Sequence, residues 1–445
     1  MQPQPTKWPG WRIAWWALAA TIALAWQGRS LLRDMKPPGH VVVDFFQEWA
    51  SARNFLSGHP IYEPQRASCM RYLGCAPDGD SHFFLEINAH PPTTVLLGLP
   101  LARLDYPSAV FAWNLVSLAA LAASAWLVFR QLDLRLQPWM ILPAAVFVLL
   151  CWPLRSHLAQ GQLATVLLLL ITGAWAADRS GRQTLAGTLL GAAAVLKLFP
   201  ALLFLYFILR RQWRAVAAGL ACCGVLTAVT AAVLGPAAYA TYLRDVPPFV
   251  AEWRSAWNNS SLPGLWSKLF EPGTKGNGIV PLVYNPALAH VLVVISCSAV
   301  IFLVARATRQ ARSVAERDGA FAAAVAAALL VTPVTWEHGF LLLLLPFGIF
   351  WTESAAGSPR RHFLVLLAVV LMILNPATFY RLWLFGDSPA GRRVFCSAAQ
   401  VIVILSVQCY ALLSLFVIAV GSRAATAPAV VGQPAIAGGS QRRAA

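Results

Sequence analysis

The sequence VVVDFFQEWASARNFLSGHPIY, residues 41–62, decides how the chain is read. A membrane-length apolar run, about 13–31, stands before it, so Asp44 falls where the chain leaves a bilayer. An aromatic-rich, partly amphipathic segment follows, with Phe45, Phe46, Trp49 and Phe55. It closes on Gly58-His59-Pro60-Ile61-Tyr62.

Working outward, the composition sets the class. The chain has 445 residues, 58% hydrophobic and 12% charged, whereas a soluble domain carries about a quarter charged residues. Apolar runs follow the first at about 107–129, 139–154, 163–177, 184–196, 199–209, 213–234, 287–305, 319–331, 339–351, 363–379 and 395–420. The expectation is an all-α polytopic membrane protein of about twelve transmembrane helices. Residues 1–421 read as a single transmembrane domain, with 32–92 as a first exterior loop carrying short interfacial helices. Residues 235–287 read as a second large exterior loop, and 422–445 as a disordered cytoplasmic tail. The formal charge of +16 is read as span-flanking arginine, not as a nucleic-acid surface. Lys7 and Arg12 precede the first apolar run without a small-residue cleavage site after it, which reads as a signal anchor.

Basic residues orient the spans. Arg130/Arg135, Arg179/Arg182, Arg210/Arg211/Arg214, Arg306/Arg309/Arg312/Arg317 and Arg360/Arg361 fall on one face with both termini. The positive-inside rule makes that face the cytoplasmic side of the plasma membrane. The pattern holds only if residues 93–104 do not cross, so a re-entrant or interfacial helix is expected there. Asp44, His90, Arg155, His157, Gln160, Gln162, Lys197, Arg254, Asn258, Asn259, Glu337, His338 and Arg381 then share the exterior face. Ionisable groups at that depth need a cavity or a partner, which argues for one polar site.

Each candidate has a plainer reading beside the functional one. Asp44 is a candidate general base, or a solvated acid at a helix end; Glu48 and Glu63 compete with it. Lys197 interrupts AAAVLKLFPALLF three residues before a proline. It reads as a cation for a lipid phosphate at a helix break, or as a snorkelling lysine. His338 lies in VTPVTWEH with Trp336 and Glu337 and suits a phosphate or an acceptor hydroxyl, or a structural role. The patch Arg155-Ser-His157-Leu-Ala-Gln160-Gly-Gln162 suits sugar hydroxyls, or inter-helix hydrogen bonds. Arg254 through Ser261, RSAWNNSS, suits carbohydrate or a lipid headgroup, or is an ordinary loop. Gly187 and Gly191 read as a close helix contact.

Of the eight cysteines, Cys151, Cys222, Cys223, Cys297 and Cys409 lie in apolar runs and read as packing residues. Cys69 and Cys75 lie in a hydrophilic loop, where an exterior location would allow a disulfide between them. No metal set is evident. Asp78-Gly79-Asp80 has the spacing of a nucleotide-sugar metal site but falls on the wrong side of the membrane. No GxxxxGK[ST], HExxH or GxSxG occurs, which argues against ATPase, zinc protease and serine hydrolase chemistry.

Taken in order, several segments resemble glycosyltransferase family 87, the polyprenol-phosphate-mannose-dependent mannosyltransferases of the GT-C superfamily. They are Asp44, the close at Gly58–Tyr62, His90-Pro91-Pro92, Gln160-Gly161-Gln162, GTLLGAAAVLKLFPALL with the RRQWRA after it, Asn258-Asn259-Ser260, and TPVTWEH through His338. The likeness runs from about Asp44 to Phe347. It implies a GT-C-like bundle, a polyprenyl phosphate sugar donor and no cofactor. It implies Asp44 as base and Lys197 and His338 at donor-site positions. The chemistry of a departing phosphate adds Arg254 or Arg381 as further cations. The residues themselves offer His90, His157, Gln160, Gln162, Asn258, Asn259, Trp336 and Glu337 as substrate-binding groups, with a glycan or glycolipid hydroxyl as acceptor. The sugar leans to mannose, with arabinose beside it. The chain departs from the family pattern at 66–86, where an insertion lengthens the first loop and leaves the acceptor open. Phosphate leaves readily, so one carboxylate suffices where most glycosidases need two. Two rivals remain: a transporter or flippase of lipid-linked sugars, and an exterior ligase or polymerase using diphosphate-linked oligosaccharides. The transporter reading lacks an internal repeat across the two halves.

Overall fold

Three helices carry the length and apolarity needed to cross a bilayer: Tyr106–Gln131 (α5), Trp213–Leu234 (α11) and Pro286–Gln310 (α14). Two bent pairs raise the number to five among the described residues if each is one span. Pro138–Leu150 and Trp152–Gln160 meet at 61°, and Ala398–Leu405 and Val407–Gly421 at 51°. The computed structural model describes residues 10–74, 87–134, 137–273, 278–354, 357–375 and 396–421. Within them the chain is all-α and multi-span, with no sheet and one isolated bridge between Ile279 and Cys396. Cys75, Asp78, Asp80, Arg381 and the 422–445 tail lie outside the described residues.

The remaining helices are α1 (Gly10–Met35), α2 (Phe46–Leu56), α3 (Gln65–Leu73), α4 (Pro92–Gly98), α6 (Ile141–Leu150), α7 (Trp152–Gln160), α8 (Ala164–Arg179), α9 (Gln183–Leu196), α10 (Phe204–Leu209), α12 (Ala237–Glu252), α13 (Leu262–Phe270), α15 (Val314–Val331), α16 (Leu344–Glu353), α17 (Pro359–Ala368) and α18 (Val407–Gly421). The run expected to cross at 139–154 is instead broken at Cys151, whose extended backbone and the following Pro153 start a new helix. The piece at 93–104 forms the seven-residue α4 and then turns. At about 1.5 Å per residue it is far too short for a hydrocarbon core of about 30 Å. It lies against α2 and α11.

α15 is the interior helix. Every residue from Asp318 to Leu330 is buried, and the alanine-rich face admits neighbours on all sides. Its start is fixed by a reciprocal cap. Ser313 Oγ accepts from Glu316 N at 3.2 Å, and Glu316 Oε2 accepts from Ser313 N at 2.9 Å. One turn on, the Asp318 carboxylate receives Trp175 Nε1 at 2.8 Å and the Arg179 guanidinium. α9 packs between α8 and α11. Its contact with α11 is backbone to backbone: a Cβ on Gly187 would stand 1.8 Å from the Ala215 carbonyl oxygen, and one on Gly191 2.4 Å from that of Gly219. The two glycines therefore make the close contact that their spacing predicts.

Three helix breaks shape the site. α7 stops at Gly161, in the left-handed region. α9 stops at Lys197, whose backbone is extended before a 3-10 turn over Phe199–Leu203. α15 is followed by extended backbone at Thr332 and Trp336, then a 3-10 stretch over Glu337–Leu343. Gly187→Ala should separate α9 from α11 at a cost of about 1–3 kcal/mol or more. The variant is expected to give less monodisperse protein in detergent and a lower Tm. Gly224→Ala on α11, where added Cβ meets nothing within 4 Å, should leave both unchanged.

Candidate active site

The segment leaving α1 is held by α5. Asn114 Nδ2 donates to the carbonyls of Met35 at 3.3 Å and Leu158 at 3.0 Å. The amide of Val43 donates to Tyr106 Oη at 2.9 Å. That of Phe45 donates to the Gln160 carbonyl at 2.9 Å, tying the segment to the end of α7. Phe45 stacks on Trp113 with ring centroids 5.5 Å apart, and Trp113 Nε1 donates to the Gln162 carbonyl at 3.2 Å. Gly161 makes the junction possible. Its φ is +64°, and a Cβ there would lie 2.6 Å from Phe45 Cβ.

This junction brings Gln162 Nε2 onto Asp44 Oδ2. Burial is the main influence on the Asp44 carboxyl and pushes it up to about 6. His90, the Gln162 hydrogen bond and Lys197 oppose that rise, while Glu48 adds to it. Glu48, one turn along on α2, is 4% exposed and meets His90 Nδ1 at 2.5 Å. The sequence offered Glu48 only as a rival base, and nothing in the spacing paired it with His90.

The Lys197 ammonium makes no hydrogen bond or ion pair among the described residues. Its charge acts on Asp44, Glu48, His157 and His338. His157 is fully buried; Nε2 meets Thr165 Oγ1 at 3.1 Å, and Nδ1 has no partner. His338 is 6% exposed and within electrostatic reach of Lys197, His157 and His90. Asp44, Glu48, His90, His157, Lys197 and His338 thus form one polar group, drawn from five separate chain segments.

Other expected site residues do structural work. Glu337 accepts from Ser156 Oγ at 3.0 Å and Asn258 Nδ2 at 3.2 Å, binding α7 to the loop before α13. Trp336 meets Trp253 edge to face at 5.9 Å. Asn259 is fully buried. It donates to the Arg254 and Pro333 carbonyls at 2.7 and 2.9 Å and accepts from the Ser261 and Thr335 amides at 3.1 and 2.9 Å. That leaves it little capacity for a sugar. Arg254 lines a cavity of about 180 Å³ with Glu271 and His290, whose walls include none of Asp44, Lys197 or His338. Arg155 is engaged by α1: its Nε donates to Asp34 Oδ2 at 3.0 Å and Nη2 to Ser30 Oγ at 2.7 Å. Lys268, which the sequence reading passed over, is fully buried and donates to the Trp257 and Asn259 carbonyls at 3.3 and 2.8 Å. Gln160 contributes its carbonyl to the Phe45 tie. Among the described residues, no group of three or more His, Cys, Asp or Glu is placed to hold a metal ion.

Comparison with known proteins gives the family. The model of glycosyltransferase family 87 matches residues 88–333. A polyprenol-phosphate-mannose-dependent alpha-(1-2)-phosphatidylinositol mannoside mannosyltransferase of Mycobacterium tuberculosis is 28% identical over 402 residues, covering 82% of this chain and 83% of that protein. The protein of the same description from Mycolicibacterium smegmatis is 26% identical over 359 residues, covering 75% and 74%. A polyprenol-phosphate-mannose-dependent alpha-(1-2)-phosphatidylinositol pentamannoside mannosyltransferase of M. smegmatis is 28% identical over 257 residues, covering 57% and 58%.

Gly161→Ala should move Phe45, and with it Asp44, away from Gln162. Transferase activity is expected to fall by about 10²-fold, the cost of a 1 Å misplacement of a reacting group. A thermal melt on the purified variant should show the helical bundle still folded.

Proposed function

The chain belongs to glycosyltransferase family 87, and on that premise we propose that it moves mannose from polyprenyl monophosphate mannose to a glycan or glycolipid hydroxyl. It is a membrane-embedded, mannosyltransferase-like enzyme acting on a lipid-linked sugar donor. The observation that carries the finer reading is the placement of Lys197. Its charge acts on both Asp44 and His338, and its ammonium has no hydrogen-bond or ion-pair partner among the described residues. A carboxylate and an ammonium within electrostatic reach of each other support a base and a phosphate-facing cation in one site.

In the reaction, the acceptor oxygen attacks the anomeric carbon as the carbon–oxygen bond to the lipid phosphate breaks. The acceptor proton goes to Asp44, and the bonding pair leaves with the phosphate as polyprenyl monophosphate. Lys197 and His338, with His157 beside them, would face the charge that grows on the departing phosphate. A single displacement inverts the anomeric configuration. The topology that accompanies this reading has about twelve crossings, counting short and broken helices, within a single domain over 1–421. The site faces the exterior, the termini face the cytoplasm, and the arginine distribution supports that orientation.

The experiment is transfer of radiolabelled mannose from polyprenyl monophosphate mannose to endogenous acceptors in membranes carrying the protein. Wild type should label a glycan. Asp44→Asn, inserted at equal level, should lose about 10²–10⁴-fold. Equal activity of the two would remove Asp44 as base, and transfer from an arabinose lipid alone would change the sugar. Lys197→Gln should lower kcat by about 10²–10³-fold, with Lys197→Arg less affected. Asp44 must be ionised to accept a proton and titrates at about 6, so activity should fall as pH drops through that value. A kcat/KM profile reads this directly.

A further inference from the structure

The Glu48–His90 pair has no assigned role in the transfer. Its construction is unusually complete. His90 is 8% exposed and Glu48 4% exposed, so both groups are removed from bulk water. Glu48 Oε1 takes the Nδ1 side of the ring at 2.5 Å. Tyr62 Oη donates to the His90 carbonyl at 2.7 Å, and the His90 amide donates to Asn88 Oδ1 at 2.9 Å. Gln47 Oε1 accepts from the Ala89 amide at 2.7 Å, and Asn88 Nδ2 donates to Ser51 Oγ at 3.1 Å. The first turns of α2 therefore hold the His90 segment from several directions. Asp44, Gln47, Glu48 and Ser51 all come from that short stretch, so the ring's position is fixed relative to Asp44.

We infer that Glu48 is a positioning residue that acts on Asp44 through His90: it orients and polarises the ring so that the imidazole keeps the half-buried Asp44 carboxylate ionised and ready to accept the acceptor's proton. A carboxylate against one ring nitrogen fixes the tautomer and orientation of an imidazole and draws positive charge onto it. His90 is the largest of the charges opposing the burial of Asp44. Other groups face this set. Lys197 also favours the ionised Asp44, while Tyr106 is within electrostatic reach of both acids, Tyr62 of Glu48, and His338 of His90. The inference rests on Asp44 being the base.

The sign of one substitution tests it. Glu48 is itself a negative charge near Asp44, and on its own it makes that carboxylate harder to ionise. If Glu48 is merely a neighbour, Glu48→Gln should make Asp44 ionise at lower pH. If it acts through His90, Glu48→Gln should make Asp44 ionise at higher pH, and His90→Gln should do so by more. The measurement is infrared titration of the purified full-length protein in detergent, following the protonated-carboxyl band that disappears in Asp44→Asn. The expected result is an upward midpoint shift of about one pH unit or more for His90→Gln, a smaller upward shift for Glu48→Gln, and no further effect of Glu48→Gln when His90 is already Gln. Glu48→Asp should restore part of the wild-type midpoint. A downward shift or no shift in Glu48→Gln overturns the inference, whatever the enzyme does. The acidic limb of kcat/KM for mannose transfer should move with the infrared midpoint. If the midpoints shift as expected but wild type transfers no mannose, the positioning role stands and the substrate reading falls.

Discussion

The hydrogen bond from the Phe45 amide to the Gln160 carbonyl joins the chain leaving the first helix to the turn that ends α7. The candidate site is assembled about that joint. It requires a residue with positive φ and no side chain opposite Phe45, and Gly161 meets both conditions. Trp113, Tyr106 and Asn114 on α5 hold the two strands of the joint from behind. With the joint closed, Gln162 and Asp44 meet by geometry and need no flexible search. A carboxylate placed this way has its position set by backbone, which is the more accurate way to hold a reacting group.

Three carboxylates elsewhere in the bundle are matched within the protein. Asp318 has Trp175 and Arg179, Asp178 has Tyr206 and Gln212, and Asp34 has Arg155. Burying such a group alone is costly, so pairing is the normal condition. The Lys197 ammonium has no hydrogen-bond partner among the described residues, and His157 Nδ1 is buried without one there. Lys197 ends α9 and His157 lies in the last turn of α7, so both stand beside irregular backbone.

Much of this architecture was legible in the sequence, and the limits are physical. Long apolar runs announce helices, and α5, α11 and α14 lie close to where the runs place them. Lys197 stood out because a charge inside an apolar run needs a reason, and Gly187 and Gly191 because their spacing stacks them on one helix face. Apolarity does not distinguish lipid from protein as a neighbour, so the interior position of α15 could not be read. Nor could the pairing of Glu48 with His90, 42 residues apart, because periodicity reports a residue's face and not its opposite number. Asn259 shows the same limit. An amide in a polar loop reads as a sugar ligand, and only the fold reveals that backbone groups have taken it.

The contact between α1 and α7 bears on biogenesis. Asp34, near the end of the first helix, is matched by Arg155, 121 residues later. At about 5–20 residues per second, roughly 6–24 s of synthesis separate the two. During that interval the first helix holds an acid, Gln27 and Ser30 without the guanidinium that finally joins them. α1 is therefore made well before the partner of its acid. Its lodging is provisional until α7 emerges, and the same emergence delivers Gly161 and Gln162 to Asp44. Emergence of one helix thus completes both the anchorage of α1 and the contact between Gln162 and Asp44.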